Sequence, residues 1–164
     1  MIIGTLKEKK KFENRVAISP DEVKSYLKSG HQVLIEKGAG SLSGFTDKSY
    51  KEAGATITNS KEVLKTSEII IKINCPSPEE SKLINNKAMV VSQISTQNNQ
   101  ESIKILNSRK VSAFALELVP RITRAQDMDI LSSQANLAGY HAVIDAAQEF
   151  NRVLPLFMTC LLYT

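Results

Sequence analysis

Two basic side chains stand where they could bind an anionic group. Arg15 lies just before the start of a helix, and an arginine there could hold a carboxylate through two parallel hydrogen bonds. The alternative for Arg15 is a surface salt bridge. Lys72 directly follows three isoleucines, so it either points into a ligand crevice at the end of a buried strand or extends along the surface into solvent.

A third group of polar side chains follows the last predicted strand. Segment 120–129 is dense in hydrogen-bond donors and acceptors, including Arg121, Gln126 and Asp129. Ligands of parallel sheets bind outside the carboxyl ends of the strands, which is where this segment is expected. The alternative interpretation is a plain polar loop that ends in an aspartate capping the next helix.

Other familiar kinds of site lack the residues they need. His31 and His141 do not have the HExxH spacing of a zinc enzyme, and two distant cysteines make neither a disulfide scaffold nor a four-ligand zinc site. We therefore expect no metal and treat Cys75 as an incidental cysteine. The glycine-rich segment 38–44 has no Gly-Lys-Ser/Thr ending and no helix starting on its third glycine, so it is not a dinucleotide fingerprint.

The elements that must position these side chains alternate between strand and helix. Short apolar or β-branched runs predict strands, and they lie at 2–6, 33–35, 55–57, 69–71, 89–91 and 111–116. Helical patterns lie between them, and Ser19, Pro20 and Glu22 make a capping box for the first. A final helical pattern covers 128–150, either as one helix or as two segments that meet near Gly139. Strand–helix alternation predicts an α/β fold with a doubly wound, mostly parallel sheet flanked by helices.

The composition is that of an ordinary folded chain. Of 164 residues, 42% are hydrophobic, and 21 Lys+Arg stand against 17 Asp+Glu. The lysines are scattered among glutamates, so we expect no nucleic-acid partner. No run approaches the roughly 20 apolar residues of a membrane span, and no apolar segment follows the first charged residues as in a signal peptide. These features favour a reducing, cytoplasmic location.

Several ordered segments together resemble one protein family. They are Lys7-Glu8, Glu13-Asn14-Arg15-Val16-Ala17-Ile18-Ser19-Pro20, Val33-Leu34-Ile35-Glu36-Lys37-Gly38-Ala39-Gly40, Tyr50-Lys51-Glu52-Ala53-Gly54-Ala55 and Ile70-Ile71-Lys72-Ile73 with Pro76. This set looks like the N-terminal domain shared by alanine dehydrogenases and pyridine nucleotide transhydrogenases, and the resemblance covers residues 1–159. It implies a Rossmann-like domain without the glycine fingerprint.

Two features favour the transhydrogenase branch, specifically its NAD(H)-binding alpha subunit. Alanine dehydrogenases carry an acid/base histidine after the fifth strand, and here that position is about Ser95, which cannot take a proton near neutral pH. The segment from Arg121 resembles the Arg-Gln-Asp loop of transhydrogenases. That likeness assigns catalytic roles to Arg121, Gln126 and Asp129 and places them, with Ser132, around the nicotinamide end of NAD(H). Arg15 and Lys72 are then remnants of a substrate pocket.

The resemblance also implies the setting of the whole protein. The full enzyme would transfer a hydride between NAD(H) and NADP(H), coupled to proton movement. It would be a homodimer, peripheral at the inner face of the bacterial cytoplasmic membrane, with NADP(H) on a partner beta subunit and a further membrane component. Most of the NAD(H) site would lie in a following Rossmann domain, so we expect this chain alone to be inactive. The alternatives are an alanine dehydrogenase-like oxidoreductase domain and a non-catalytic binding or assembly module.

The end of the chain departs from the family pattern. We expect one domain over residues 1–159, whose last helix, from about residue 137, leads toward the Rossmann domain. Residues 160–164 read Cys-Leu-Leu-Tyr-Thr, which matches the translation of a common transposase-derived sequencing adapter. We therefore interpret 160–164 as a non-native tail, and sequencing a long molecule past codon 159 tests this: finding the same codons in the intact gene would contradict it.

Overall fold

The backbone alternates between strand and helix, as the hydrophobic pattern predicts, in a computed structural model that describes residues 1–152. The strands are β1 (Ile2–Thr5), β2 (Gln32–Glu36), β3 (Thr56–Thr58), β4 (Ile69–Asn74), β5 (Met89–Gln93) and β6 (Ser112–Ala115). The α-helices are α1 (Pro20–Lys28), α2 (Asp47–Glu52), α3 (Ser60–Thr66), α4 (Pro78–Leu83), α5 (Gln100–Ser108) and α6 (Ile130–Glu149). Short 3₁₀ helices cover Ser41–Ser43, Leu116–Leu118 and Thr123–Met128.

All six strands pair in parallel, in the order β3-β2-β1-β4-β5-β6. The chain winds outward from β1 to β3, returns to the other side of β1 at β4, and winds outward again to β6. The prediction of a doubly wound parallel sheet is therefore confirmed. The winding direction reverses between β1 and β4, and ligands of such sheets bind in the crevice outside the carboxyl ends of the strands at that switch point.

The strands face two hydrophobic cores, one on each side of the sheet. Along β4, Ile70 packs in one core, whereas Ile69 and Ile71 pack against the other, because successive side chains of a strand point to opposite faces. The first core takes Val63 and Leu64 from α3, Leu106 from α5 and Ile84 from the end of α4. The second core takes Val23 from α1 and Tyr50 from α2. Helices therefore cover both faces of the sheet.

Local capping chemistry fixes where two of the covering helices begin. The capping box of α1 is confirmed: the Ser19 hydroxyl accepts from the Glu22 N–H, and the Glu22 carboxylate accepts from the Ser19 N–H. A second capping box starts α4, where Ser77 and Glu80 exchange the same two hydrogen bonds. Each box satisfies two N–H groups that a helix start leaves without partners.

Close packing divides the chain into two units, Met1–Met128 with the sheet and a second that begins at Asp129 and contains α6. The helix is continuous over Ile130–Glu149. It agrees with the wider helical pattern over 128–150, whereas the predicted start near residue 137 and the predicted break near Gly139 are both wrong. The Asp129 carboxylate accepts from the Ser132 N–H at 3.0 Å and caps the helix. A glycine weakens a helix by about 1 kcal/mol without breaking it. The predicted tail at 160–164 lies outside the described residues.

One predicted strand is too long at its end. The sequence pattern predicts a strand over 111–116, but β6 stops at Ala115 because Leu116–Leu118 turns into a 3₁₀ helix. This early stop places Glu117 beside the end of the neighbouring strand β5, where its carboxylate accepts two backbone hydrogen bonds.

Candidate functional site

A polar cavity of about 520 Å³ opens at the carboxyl ends of β1, β4 and β5. This position is the topological switch point, where the fold leaves a crevice because the connections from β1 and β4 diverge. Charged and polar side chains make much of its wall, among them Lys9, Lys72, Asn74, Gln93, Ser95 and Asn99. The cavity therefore suits a small, hydrogen-bonding group better than an apolar one.

Lys72 projects from β4 into this wall and is only 4% exposed. Its ammonium donates to Oε2 of Glu80 at 2.8 Å, and Glu80 is itself 3% exposed. The sequence alternative of a lysine extending into solvent is thus not what the structure shows. A charge buried to this degree needs a close counter-ion, and Glu80 supplies it from the first turn of α4.

Glu80 gathers three interactions around one carboxylate. Besides Lys72, the Ser77 N–H donates to it at 3.1 Å and the ammonium of Lys9 lies 2.8 Å from its second oxygen. Burial alone would raise the pKa of Glu80, but the charge of Lys72 and the hydrogen bonds from Lys72, Lys9 and Ser77 outweigh it and lower that pKa. The carboxylate is therefore ionised at neutral pH and unavailable as a general acid.

Two glutamates in the segment after β1, Glu8 and Glu13, form hydrogen bonds with the carboxyl end of β4. The Glu8 carboxylate accepts from the backbone N–H of Ile73 at 2.8 Å and from Nδ2 of Asn74 at 3.2 Å. The same Nδ2 donates to Glu13 at 3.2 Å. The register between β4 and β5 also shifts here, between Ile71 and Asn74. Of the two carboxylates, that of Glu8 accepts the backbone N–H groups at this end of β4.

Arg15 holds Glu13 through two parallel hydrogen bonds. Its Nε and Nη2 each donate at 2.7 Å, one to each carboxylate oxygen, and the Arg15 side chain is 47% exposed. These contacts match the surface-salt-bridge alternative, and Arg15 is not among the described residues that line the cavity. The hydrogen bonds from Arg15 dominate over burial and lower the pKa of Glu13 to about 2.

Ser95 lies on the cavity wall, in the turn that follows β5. Its backbone is left-handed, with φ of +48°, a conformation that costs a non-glycine residue free energy unless its surroundings hold it. His31 does not take its place, since it precedes β2 at the amino end of the sheet; His141 belongs to α6 in the second unit, where it lies 3.0 Å from Asp145. The described lining of the cavity thus contains no imidazole.

Cys75 also lines the cavity, but its thiol is a poor nucleophile. Burial raises the pKa of Cys75 to about 11, against a smaller opposing effect of Lys72. Because the thiolate is the reactive form, this thiol stays protonated and unreactive at neutral pH. The sequence interpretation of Cys75 as incidental agrees with this environment.

The four residues predicted to meet the nicotinamide fall in both units. Arg121 and Gln126 belong to the first unit, where both are exposed in the segment that follows Leu116–Leu118. Asp129 and Ser132 belong to the second, where the Ser132 hydroxyl donates to the Asp129 carboxylate at 2.6 Å. Asp129 thus has the helix-capping role of the sequence alternative. The helix-capping role neither supports nor contradicts the predicted role of Asp129 in cofactor binding. The predicted nicotinamide contacts of all four residues stay predictions.

The described residues hold neither a metal-binding cluster nor a membrane-spanning helix. No group of three or more histidine, cysteine, aspartate or glutamate side chains within 1–152 is arranged to hold a metal ion. No helix in that part of the chain is long and apolar enough to cross a membrane.

Sequence reasoning does not find the partners of the cavity residues. Glu80 carries a usable signal, because Ser77, Pro78 and a glutamate three residues after the serine spell a capping box. Its second role as counter-ion to Lys72 and Lys9 has no such signal. Glu117 has none either, since its contacts are with backbone groups more than 20 residues away.

The parallel, doubly wound sheet with a polar crevice at its switch point defines a Rossmann-like α/β domain. Sequence comparison gives the family: the chain belongs to the alanine dehydrogenase/PNT N-terminal domain family, whose profile matches residues 4–138. The resemblance inferred from the motifs is thereby confirmed.

Relatives from the transhydrogenase branch are more similar than those from the dehydrogenase branch. The chain is 44% identical to NAD(P) transhydrogenase subunit alpha of Haemophilus influenzae, over 92% of this chain and 29% of that protein. It is 36% identical to alanine dehydrogenase of Methanococcus maripaludis, over 90% of this chain and 39% of that protein. The solved transhydrogenase from Sinorhizobium meliloti superposes with a TM-score of 0.90 at 43% identity, over 98% of this chain and 48% of that one. The chain therefore spans about half the length of these relatives or less.

We predict that Glu80→Ala destabilises the domain strongly. The substitution removes a helix cap and leaves Lys72 as a buried charge without its counter-ion, so we expect a loss of about 3 kcal/mol in the free energy of unfolding. Urea denaturation of the purified chain measures it. Glu79→Ala, which removes the exposed neighbouring carboxylate, is the control and should unfold almost like the wild type. A Glu80→Ala variant as stable as that control would contradict the role given to the ion pair.

We predict that Glu13→Gln reduces the acid sensitivity of the fold. The pKa of Glu13 is about 2 in the folded chain and rises to its ordinary value of 4.5 when the chain unfolds. Its ionised form therefore stabilises the fold above that ordinary value, and this contribution is lost as pH falls toward the folded pKa.

Urea denaturation at a series of pH values measures the effect. Arg15 is about half exposed, so solvent screens the pair. As the pH falls from 4.5 toward 2, we therefore expect the free energy of unfolding to drop by about 1 kcal/mol less in the variant than in the wild type. Glu52→Gln, which removes a longer and exposed pair with Lys48 (3.7 Å), is the control. Parallel acid profiles for Glu13→Gln and the wild type would show that the Arg15 contact contributes nothing.

Proposed function

We propose that this chain is the N-terminal part of a proton-translocating NAD(P) transhydrogenase alpha subunit and contributes, in the whole protein, to hydride transfer between NAD(H) and NADP(H). The observation that carries the proposal is the cavity at the switch point. Its described wall holds Ser95, near which the family resemblance locates the dehydrogenase histidine, and it contains no imidazole. The greater identity to the transhydrogenase subunit than to alanine dehydrogenase supports the same choice.

The ionisation states in the cavity suit this chemistry. Oxidising an amino acid needs a group that exchanges protons, whereas passing a hydride between two nicotinamide rings needs orientation and close approach. The negative charge of the ionised Glu80 carboxylate is balanced by two lysines, Lys72 and Lys9. The Cys75 thiol is held protonated by burial, which raises its pKa. Lys72 is tied to Glu80 by a charged hydrogen bond. Glu80, which stays ionised, and Cys75, which stays protonated, are therefore not suited to relay protons at neutral pH.

The donor set after β6 suits the nicotinamide end of a dinucleotide. The side chain of Gln126 carries both an amide donor and an amide acceptor, which match the two polar groups of a carboxamide. Arg121 and Gln126 are exposed, so both can meet a ligand without first breaking a buried contact. We propose that Arg121, Gln126, Asp129 and Ser132 hold the nicotinamide end, which supplies the hydride chemistry when bound, and that Gln126 and Arg121 orient it.

The proposal extends to the setting of the whole enzyme. Most of the NAD(H) site would come from the part of the relatives that this chain does not cover. NADP(H) would be held by the beta subunit, and the assembly would be a homodimer of alpha subunits on a membrane component. The chain would lie at the inner face of the bacterial cytoplasmic membrane. Arg15 and Lys72 would keep a structural role, in line with their ion pairs to Glu13 and Glu80.

A chimera tests the proposal. Residues 1–138 replace the matching part of the Haemophilus influenzae alpha subunit, which is 44% identical, and the product is combined with the rest of that enzyme. We expect hydride transfer from NADPH to an NAD⁺ analogue, and none from this chain alone. In the chimera, Gln126→Ala should lower the rate about tenfold or more, because orientation of the reacting ring is lost.

Two controls make the result interpretable. Gln32→Ala removes an exposed glutamine at the start of β2, at the amino end of the sheet and away from the crevice, and should leave the rate unchanged. Alanine-dependent reduction of NAD⁺ is measured in parallel. Alanine oxidation by the chimera would favour the dehydrogenase alternative, and a folded chimera without either activity would favour a non-catalytic binding or assembly module.

A further inference from the structure

Glu117 joins the cavity to the segment that carries the proposed nicotinamide contacts. Its carboxylate accepts the N–H of Ile94 at 3.0 Å and the N–H of Ser95 at 2.6 Å, one on each oxygen. Two successive backbone N–H groups that converge in this way form a concavity that binds anions. Here the group held in that concavity is a carboxylate of the protein itself.

The turn that receives Glu117 needs such support. Ser95 is left-handed at φ +48°, and a serine has no intrinsic preference for that conformation. Nδ2 of Asn99 donates to the carbonyl of Ile94 at 2.8 Å, and the Asn98 N–H donates to the carbonyl of Ser95 at 2.9 Å. The turn is thus held through its carbonyls from the residues that lead into α5 and through its N–H groups from Glu117.

The segment that follows Glu117 is largely exposed. Glu117 lies in the 3₁₀ helix Leu116–Leu118, and each side chain from Pro120 to Arg124 is exposed. The next side chain that packs inside is Ala125, at 4% exposure. Arg121 and Gln126 therefore lie on an exposed stretch with two points of attachment. The hydrogen bonds of Glu117 hold its start, and the buried side chain of Ala125 holds it near Gln126.

We propose that Glu117 is a positioning residue for the hydride-transfer site: one carboxylate fixes the Ser95 turn and, through it, the start of the segment that carries Arg121 and Gln126. This inference rests on the proposed function for its catalytic meaning. The structural part of the proposal is that Glu117 holds segment 94–99 and segment 119–126 together. This part does not depend on the proposed function.

Hydrogen exchange on the full chain tests the structural content. In Glu117→Gln, one oxygen remains as acceptor, and an amide N–H₂ faces the other backbone N–H. We expect exchange to rise about tenfold in residues 94–99 and, to a similar extent, in residues 119–126. A rise confined to 94–99 would mean that Glu117 merely caps the turn, and no rise in either segment would mean that it holds neither. Both results would overturn the proposal.

A matched control separates this effect from general loosening. Glu68 also holds a backbone N–H with its carboxylate, that of Ile2 at 2.7 Å, but at the amino end of the sheet. Glu68→Gln should raise exchange near residue 2 and leave both segments beside Glu117 unchanged. If Glu68→Gln loosens those segments as well, their exchange reports global stability, and the assignment of Glu117 fails.

Kinetics of the same chimera test the catalytic meaning. Glu117→Gln should lower kcat for hydride transfer about tenfold with a smaller change in KM for NAD(H), and Glu117→Asp should restore part of the loss because its shorter side chain keeps the carboxylate. An unchanged kcat in Glu117→Gln would refute the positioning role. If the wild-type chimera itself transfers no hydride, the proposed function fails, while the exchange experiment still decides whether Glu117 couples the two segments.

Discussion

The buried pair between Lys72 and Glu80 is the constraint on which the crevice depends. Lys72 stands on a central strand and Glu80 on the helix that follows it, so the contact sets how closely α4 approaches the end of the sheet. A buried pair of this kind is costly to break, because either partner left alone would be an uncompensated charge. Lys9 extends the same contact to the segment after β1. The segment after β1, the strand β4 and the helix α4 thereby meet at one carboxylate.

Carboxylates repeat this role along the carboxyl edge of the sheet. Backbone N–H groups at the ends of strands and at helix starts are left without a partner in the regular element and need other acceptors. Glu8 accepts from Ile73, Glu80 from Ser77 and Glu117 from the turn at Ser95. Glu8 and Glu117 reach these groups from other parts of the chain, so their hydrogen bonds also tie neighbouring segments together. Carboxylate oxygens thus serve as backbone acceptors along this end of the sheet.

How far the sequence predicts this structure depends on the range of the interaction. The capping box at Ser19 and the parallel sheet are local signals, carried by residues three positions apart or by apolar runs, and both are confirmed. Lys72 is ambiguous in sequence because its burial depends on Glu80, and no periodicity reveals that the two side chains meet. A break at Gly139 is wrong because a lone glycine only weakens a helix, whereas the Asp129 cap fixes where α6 begins. The role of Glu117 has no sequence signal because its partners are backbone atoms after another strand.

The paired charges of the cavity stabilise the fold, whereas the polar side chains proposed to contact a ligand lie elsewhere, after β6. In the cavity Lys72 and Lys9 pair with Glu80, whereas the donors after β6, Arg121 and Gln126, remain exposed. A site that moved protons would need a group whose protonation changes near neutral pH, and the described wall of the cavity contains no imidazole to provide it. A site that moves a hydride asks mainly for orientation. Under the proposed function, the carboxylate contacts at the edge of the sheet supply that orientation, because they fix the point from which the nicotinamide-contacting segment departs.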